Sequence, residues 1–461
     1  MVTTKRLSNF HHMKLISKFK NIHFLSLMGT GGMSVLTFLL TAILYRSLSI
    51  RDIGIWFFFQ AMLSFLDTFR QGFLSTAFVK FYSGSSLERC QEIIGSTWFI
   101  ASTTTGILLL LNIPLLVIVH FVGDESLEYF SRYYSLNLLA SLPMIVTMCI
   151  AQGDLKFGRL LYIRLFQVSF LIFSLAFLIF TKQANLNNLM FANIAAGAIT
   201  SILCMALGWS GIRLLAKRTK SCIKELFDFG KYTVGTSISS SLFGVTDTFV
   251  INFMLGPSSL AVYNLGRRLM EVVEIPLRSF VATAMPSLSS AYNKGDKNNL
   301  ITIMHKYIGI ITICLIPFLI GTYIFAGFAL GIIGGGKYSG TEAGNIAVNI
   351  FRISATIALL SPADRFMSVT LDAIHKPQIN LYKVIIMVII NVITDFAGIY
   401  FFGNIYGLVV GTFFPTLVAI LISYYHISKG YQTFSIFDSY LVSFREIKRL
   451  VLNGFKWSKT T

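Results

Sequence analysis

Apolar runs of about twenty residues recur from one end of this 461-residue chain to the other, parted only by short polar segments. That is the length an α-helix needs to span a hydrocarbon core of about 30 Å. Hydrophobic residues make up 54% of the chain and charged residues only 13%, with a mean hydropathy of +0.70, far too little charge for a soluble protein of this size. The pattern describes an all-α polytopic membrane protein.

The spacing predicts twelve spans, at 24–45, 54–79, 93–120, 133–152, 161–181, 189–212, 232–255, 260–288, 302–333, 345–370, 380–402 and 405–427. Five parts follow: a basic N-terminal tail (1–23), a first six-helix lobe (24–212), a linker (213–231), a second lobe (232–427) and a basic tail (428–461). The formal charge of +18 resides mainly in the tails and alternate loops, as in Lys5, Arg6, Arg213, Lys217, Arg218, Lys429, Arg445 and Lys448. That is the positive-inside pattern, so the excess charge marks orientation, not nucleic-acid binding. Both termini are expected in the cytoplasm, and no cleavable signal is read before the first span. Phe437, Leu441, Phe444, Ile447 and Val451 recur at helical intervals, the mark of an amphipathic helix on the inner leaflet. Cys90, Cys149, Cys204, Cys222 and Cys314 have no paired spacing, and neither a disulfide nor a metal site is expected.

Charge inside such a chain is informative because an ionisable group at membrane depth costs several kcal/mol unless it faces a bundle interior or water. In the stretch LAVYNLGRRLMEVVEIPLRSFVATAMPSLSSA (260–291), Arg267, Glu271, Glu274 and Arg278 stand four, three and four residues apart, on one helical face. Arg268 adjoins them. Sliding the chain by 207 positions lays LSIRDIGIW (48–56) on LGPSSLAVY (255–263). It also lays Gln60, Ser64, Asp67 and Gln71 on those four charged positions, with Arg70 three residues beyond Asp67. Farther on the shift becomes 220, and KFGRLLY (156–162) meets KPQINLY (376–382). Six helices therefore repeat as six, and an even count makes the repeats parallel, with a central site expected between them.

The pattern LYRSLSIRDIGIW followed by a helix bearing an Asp, and TDTFVINFMLGPSSLAVYNLGRRL followed by MPSLSSAYNKGDKNNL, resembles the polysaccharide transporter family. This is the Wzx-type oligosaccharide flippase branch of the multidrug/oligosaccharidyl-lipid/polysaccharide exporter superfamily. The resemblance implies a MATE-like fold of two six-helix lobes in a V. By alternating access it would carry a polyprenyl-pyrophosphate-linked oligosaccharide across the bacterial inner membrane, for assembly of a surface polysaccharide such as lipopolysaccharide O-antigen or an exopolysaccharide. It further implies a cation-lined lumen, which Arg70, Arg267, Arg268 and Arg278 match. Polysaccharide polymerase and glycosyltransferases are the implied protein partners, around a monomeric carrier. Related drug exporters use acids on their first helix, whereas helix one here offers only small polar residues such as Thr30, Ser34, Thr37 and Thr41.

Arginine's planar fork suits a pyrophosphate better than lysine does. Arg70, Arg267, Arg268, Arg278 and Arg352, with Gln60, Ser64 and Gln71, are therefore the expected substrate contacts, Arg352 lying nearer the external end, within reach of sugars. Asp67, Asp247, Glu271 and Glu274 have two readings: coupling to H+ or Na+, or charge pairing with the arginines, Arg267 with Glu271 and Glu274 with Arg278. Asp364 and Arg365 near Pro362 are expected to satisfy each other or a broken helix backbone, while Arg164, Lys306, Lys383 and His305 are expected at the interface. No cofactor is expected. Gly334, Gly335, Gly336 and Lys337 lack the spacing of a phosphate-binding loop and read as a turn. A glycan polymerase needs acid–base groups on a sizeable loop or domain, and the loops here are short. A multidrug antiporter of the same fold is the nearer alternative.

Overall fold

The computed structural model describes residues 22–436, 438–440 and 444, and among them all regular structure is helical. The chain divides into two compact units, Met1–Ile238 and Ser239–Thr461.

In the first unit, α1 (Ile22–Ser47), α2 (Ile50–Tyr82), α3 (Leu87–Val122), α4 (Glu125–Gly153), α5 (Phe157–Phe180) and α6 (Leu186–Ala206) follow one another through short turns. The starts of α2, α3, α4 and α6 are written in the sequence. Ser49, Ser86, Asp124 and Asn185 each accept the backbone N–H three residues on, the N-cap role that short oxygen-bearing side chains fill. The interior between α2, α3 and α4 is filled by Leu74, Phe78, Ile93, Trp98, Val146 and Ile150. Within α4, Pro143 interrupts the hydrogen-bond ladder, and Ser201 of α6 repairs it. Its hydroxyl accepts from Met144 N (3.2 Å) and donates to Ala140 O (2.6 Å), bridging two groups that would otherwise bond each other.

The expected linker is shorter than the sequence suggests. A 3₁₀ turn (Ile212–Lys217) leads into α7 (Lys220–Leu255), which starts at Lys220 and not near 232. Thr219 caps it by accepting Cys222 N at 3.2 Å, and Glu225 on its second turn forms an ion pair with Arg89 of α3. Hydropathy is blind to this start because the first turns are polar.

The second unit contains the rest of α7, then α8 (Pro257–Arg268), α9 (Glu271–Asn293), α10 (Lys297–Gly334), α11 (Glu342–Ile357), α12 (Ser361–Ala373), α13 (Pro377–Phe402), α14 (Ile405–Gly411) and α15 (Phe413–Gly430). Three spans expected as single helices are interrupted here. The span 260–288 tightens between α8 and α9, where Met270 N bonds Arg267 O and Val273 N bonds Met270 O, three residues apart instead of four. The span 345–370 passes through a 3₁₀ turn (Ala358–Leu360) just before Pro362, which has no N–H to continue the ladder. The span 405–427 divides at Thr412, three residues before Pro415, for the same reason.

Two expectations about the interface are corrected. Lys383 is buried and donates to Asp364 Oδ1 (3.0 Å), Ser423 Oγ (3.4 Å) and Ser368 Oγ. Asp364 is thus satisfied by Lys383 and not by its neighbour Arg365, which is exposed. His305 is also buried, with Nδ1 2.6 Å from Ser439 Oγ and its ring edge-on to Phe434. Of the amphipathic tail expected over 437–451, most lies outside the described residues.

Helix ends repeat at the spacings seen in the sequence. Leu155 and His375, 220 residues apart, both adopt the left-handed conformation that non-glycine residues seldom visit. The next residue in each case, Lys156 or Lys376, sends its N–H back to Ala151 O or Leu371 O. At the first of these turns burial pushes the Asp154 carboxyl up. Hydrogen bonds from Lys156 and Tyr82 outweigh it and hold the group below the usual carboxylate range.

Among the described residues, eight stretches are long and apolar enough to cross a membrane: α3, α4, α5, α6, α10, α11–α12, α13 and α14–α15. Shorter apolar stretches lie in α1 (Gly31–Ser47) and α7 (Ser241–Leu255). What remains is α2 and α8–α9, which the repeat pairs with each other. Both carry the charged stripes.

Candidate functional site

On α2, Ser64 and Gln71 are exposed while Gln60 and Asp67 are half-buried, one polar strip along the helix. Arg70 leaves that strip. Only 1% of its surface is accessible, and its Nε donates to Asp67 Oδ1 (3.0 Å), Nη1 to Leu138 O (2.9 Å) and Nη2 to Ser141 Oγ (2.8 Å). Leu138 and Ser141 belong to the turn of α4 just before Pro143. The guanidinium expected to meet substrate is therefore spent on the fold, tying α2 to the kinked part of α4, and Asp67 neutralises it. Asp67 itself keeps 23% of its side chain accessible.

The pairing along α8–α9 differs from the helical spacing rule. Arg267 pairs with Asp247 of α7, Nη1 to Oδ2 at 3.2 Å, and not with Glu271. Glu271 pairs instead with Arg268 across the tightened turn. Glu274 and Arg278 pair as the sequence suggests, at 2.5 Å, with Arg278 still 78% exposed. A charged face so open is costly at membrane depth unless it looks onto water.

Asp247 does not stand alone. Tyr263 Oη hydrogen-bonds its Oδ2, Arg267 stacks 5.3 Å from the Tyr263 ring, and Asn391 Nδ2 donates to Asp247 Oδ1 at 2.9 Å. The same amide donates to Asp395 Oδ2, also at 2.9 Å. One amide thus bridges two buried carboxylates, and the second, on α13, is fully enclosed. Among the described residues, Asp395 Oδ1 and Asn391 Oδ1 are buried acceptors that receive no hydrogen bond. If both acids are ionised, the single positive charge of Arg267 leaves this group one negative charge in excess, in a place where net charge is expensive.

Backbone contact between α13 and α14 fixes the carboxylate pair. A Cβ on Gly398 would lie 2.3 Å from Gly407 O, so the two helices touch through glycine, one turn from Asp395. Asn391 and Asp395 were not among the expected site residues. Their four-residue spacing within an apolar run was the available signal. Arg352 of α11 sits apart from the cluster, its Nη2 donating to Tyr323 O of α10 at 2.9 Å.

A family model described as polysaccharide biosynthesis protein matches residues 43–342. Among curated proteins, the probable low-salt glycan biosynthesis flippase Agl15 of Haloferax volcanii is 22% identical over 80% of this chain and 74% of its own length. The probable flippase AglR of the same organism is 20% identical over 47% of this chain and 44% of its own. The fold is that of solved transporters. The lipid II flippase MurJ, inward closed, superposes with a TM-score of 0.72 at 16% identity, covering 93% of this chain and 92% of that one. An inward-facing multidrug resistance MATE family transporter of the MOP superfamily gives 0.69 at 15% identity, covering 85% and 92%.

Proposed function

The chain belongs to the family of polysaccharide biosynthesis proteins, and from that premise we propose that it is a flippase for a lipid-linked oligosaccharide. The observation that carries the reading is the exposed charge of α8–α9, beside helices that are long and apolar enough to cross a membrane. Arg278, Arg268 and Arg267 offer forked donors to a pyrophosphate linker. The prenyl chain stays in lipid. The work is translocation, with no covalent step assigned to any residue.

The lysines and arginines of the 213–231 segment and of both tails support placing them in the cytoplasm, with the carrier in the cytoplasmic membrane. The glycan would then be delivered to the outer leaflet for a polymerase or transferase to use, in building a surface polysaccharide. The two buried carboxylates of Asp247 and Asp395, bridged by the Asn391 amide, suit a proton or sodium ion whose gradient drives the cycle. The half-broken helices beside this cluster fit an ion site near mid-membrane.

The test is reconstitution of the full chain in liposomes, following delivery of a fluorescent polyprenyl-diphosphate oligosaccharide to the opposite leaflet under an imposed proton or sodium gradient. Gradient-dependent delivery is expected, lost in Arg278→Ala and no longer responsive to the gradient in Asp395→Asn. Delivery that is absent in the unmodified chain, or unaltered by both changes, would overturn the reading.

A further inference from the structure

Helix α11 carries a second polar line that the charged stripes do not include. Asn345, Asn349, Arg352 and Thr356 stand four, three and four residues apart, the interval that keeps side chains on one face. Arg352 lies ten residues inside the helix, roughly 15 Å from its start at the usual rise, too deep to be an end-of-helix ornament. The opposite face of α11 is apolar, with Ala347, Ile350, Phe351 and Ala355 buried against the unit's interior.

Two tyrosines flank this line. Arg352 rests 5.7 Å from the centre of the Tyr323 ring and donates to the Tyr323 carbonyl, while the Tyr323 hydroxyl meets Thr356 Oγ1 at 3.1 Å. On the other side Asn349 Nδ2 donates to Tyr406 Oη of α14 at 3.2 Å. The Tyr323 ring remains half-exposed.

Charge is what distinguishes Arg352 from the other arginines considered above as substrate contacts. Arg70, Arg267, Arg268 and Arg278 each have a carboxylate partner, whereas among the described residues Arg352 has none, and its Nε is buried without any hydrogen bond. A cation at this depth with no counter-charge is costly in an empty protein and favourable only when something anionic arrives. Amides and hydroxyls on the same face suit a ligand rich in hydroxyl groups, and the open aromatic ring suits its apolar edge.

We propose that the α11 face, with Tyr323 and Tyr406, is a carbohydrate-handling station whose Arg352 pairs with an oxyanion of the cargo. The proposal rests on the flippase reading and names the part of the cargo that this face meets. The oxyanion has two sources, an acidic sugar of the glycan or the diphosphate linker itself.

The experiment measures binding to the full chain in lipid nanodiscs by titration calorimetry. The probes are a glucuronic-acid-containing disaccharide, its methyl ester, and a polyprenyl diphosphate that bears no sugar. The unmodified chain should prefer one of the two anionic probes to the ester. Arg352→Ala should weaken that probe tenfold or more, and Arg352→Lys should restore part of the loss at an unchanged melting temperature. Preference for the uronate assigns the sugar as the source, and preference for the diphosphate assigns the linker. If the ester binds as tightly as the acid, if no probe binds, or if Arg352→Ala binds all three as the unmodified chain does, the station is overturned. Normal liposome delivery alongside unchanged probe binding in Arg352→Ala would sink the station alone. Absent delivery by the unmodified chain, with the Arg352 effect intact, would sink the flippase reading alone.

Discussion

Arg70 and Arg278 are both arginines within three or four residues of an acid on the same helix, yet they do different work. Arg70 is enclosed and bound to Asp67, Leu138 and Ser141, so deleting its side chain strands a half-buried carboxylate and frees two acceptors on α4. Breaking a buried pair from one side costs about 3–5 kcal/mol, whereas an exposed pair is worth about 0–1 kcal/mol. Arg70→Ala is therefore expected to lower the melting temperature of the detergent-solubilised protein sharply, and Arg278→Ala to leave it nearly unchanged. Equal melting of the two variants would contradict the burial described here. The distinction was not legible in the sequence, where both read as members of a cationic lumen. Residue spacing identifies neighbours on one helix but not the helix across the way that receives a side chain.

At the scale of the element, α13 and α14 show how little separation a functional pair of helices can need. Gly398 and Gly407 touch backbone to backbone, and each would drive a Cβ into the other's carbonyl. The approach keeps Asn391 and Asp395 buried against Asp247 of α7. Gly407→Ala is expected to separate the two helices and lower stability by about 1–3 kcal/mol, the cost of overpacking. The same variant should lose its response to an ion gradient before it loses its place in the membrane. A Gly407→Ala protein with unaltered melting and gradient response would show that this contact does not hold the carboxylates. The break between α11 and α12 was hinted at by Pro362, but those in α8–α9 and α14–α15 escaped the sequence reading because each rests on one tight turn or one proline, and neither changes hydropathy over a twenty-residue window.

For the whole molecule, the spans, the six-plus-six repeat and the charged stripes were all legible, because each is a periodic signal that one chain carries within itself. The cluster at Asp247 was legible only in part: its pairing with an arginine of the stripe was one of the two expected readings, but Tyr263, Asn391 and Asp395 join it from α8 and α13 only when the second unit folds. Exposure alone does not separate lipid from water: Ile320 and Phe325 on α10 are as open as Ser64. Single cysteines in a cysteine-free chain resolve the two. Those at Ser64 and Arg278 should react with a membrane-impermeant, water-soluble thiol reagent applied to opened vesicles. Those at Ile320 and Phe325 should not. Reaction at Ile320 as fast as at Arg278 would remove the argument that the charged face looks onto an aqueous path.

Helix α2 runs unbroken for 33 residues, roughly 50 Å at the usual rise, while its counterpart in the second repeat is jointed at Leu269 and Met270. One copy of the repeat is thus an unbroken rod and the other a rod with an elbow. Bending asked of that pair is absorbed beside Arg267, where a shift of a few degrees redirects a guanidinium, so flexure and charge are coupled in one copy and kept apart in its twin.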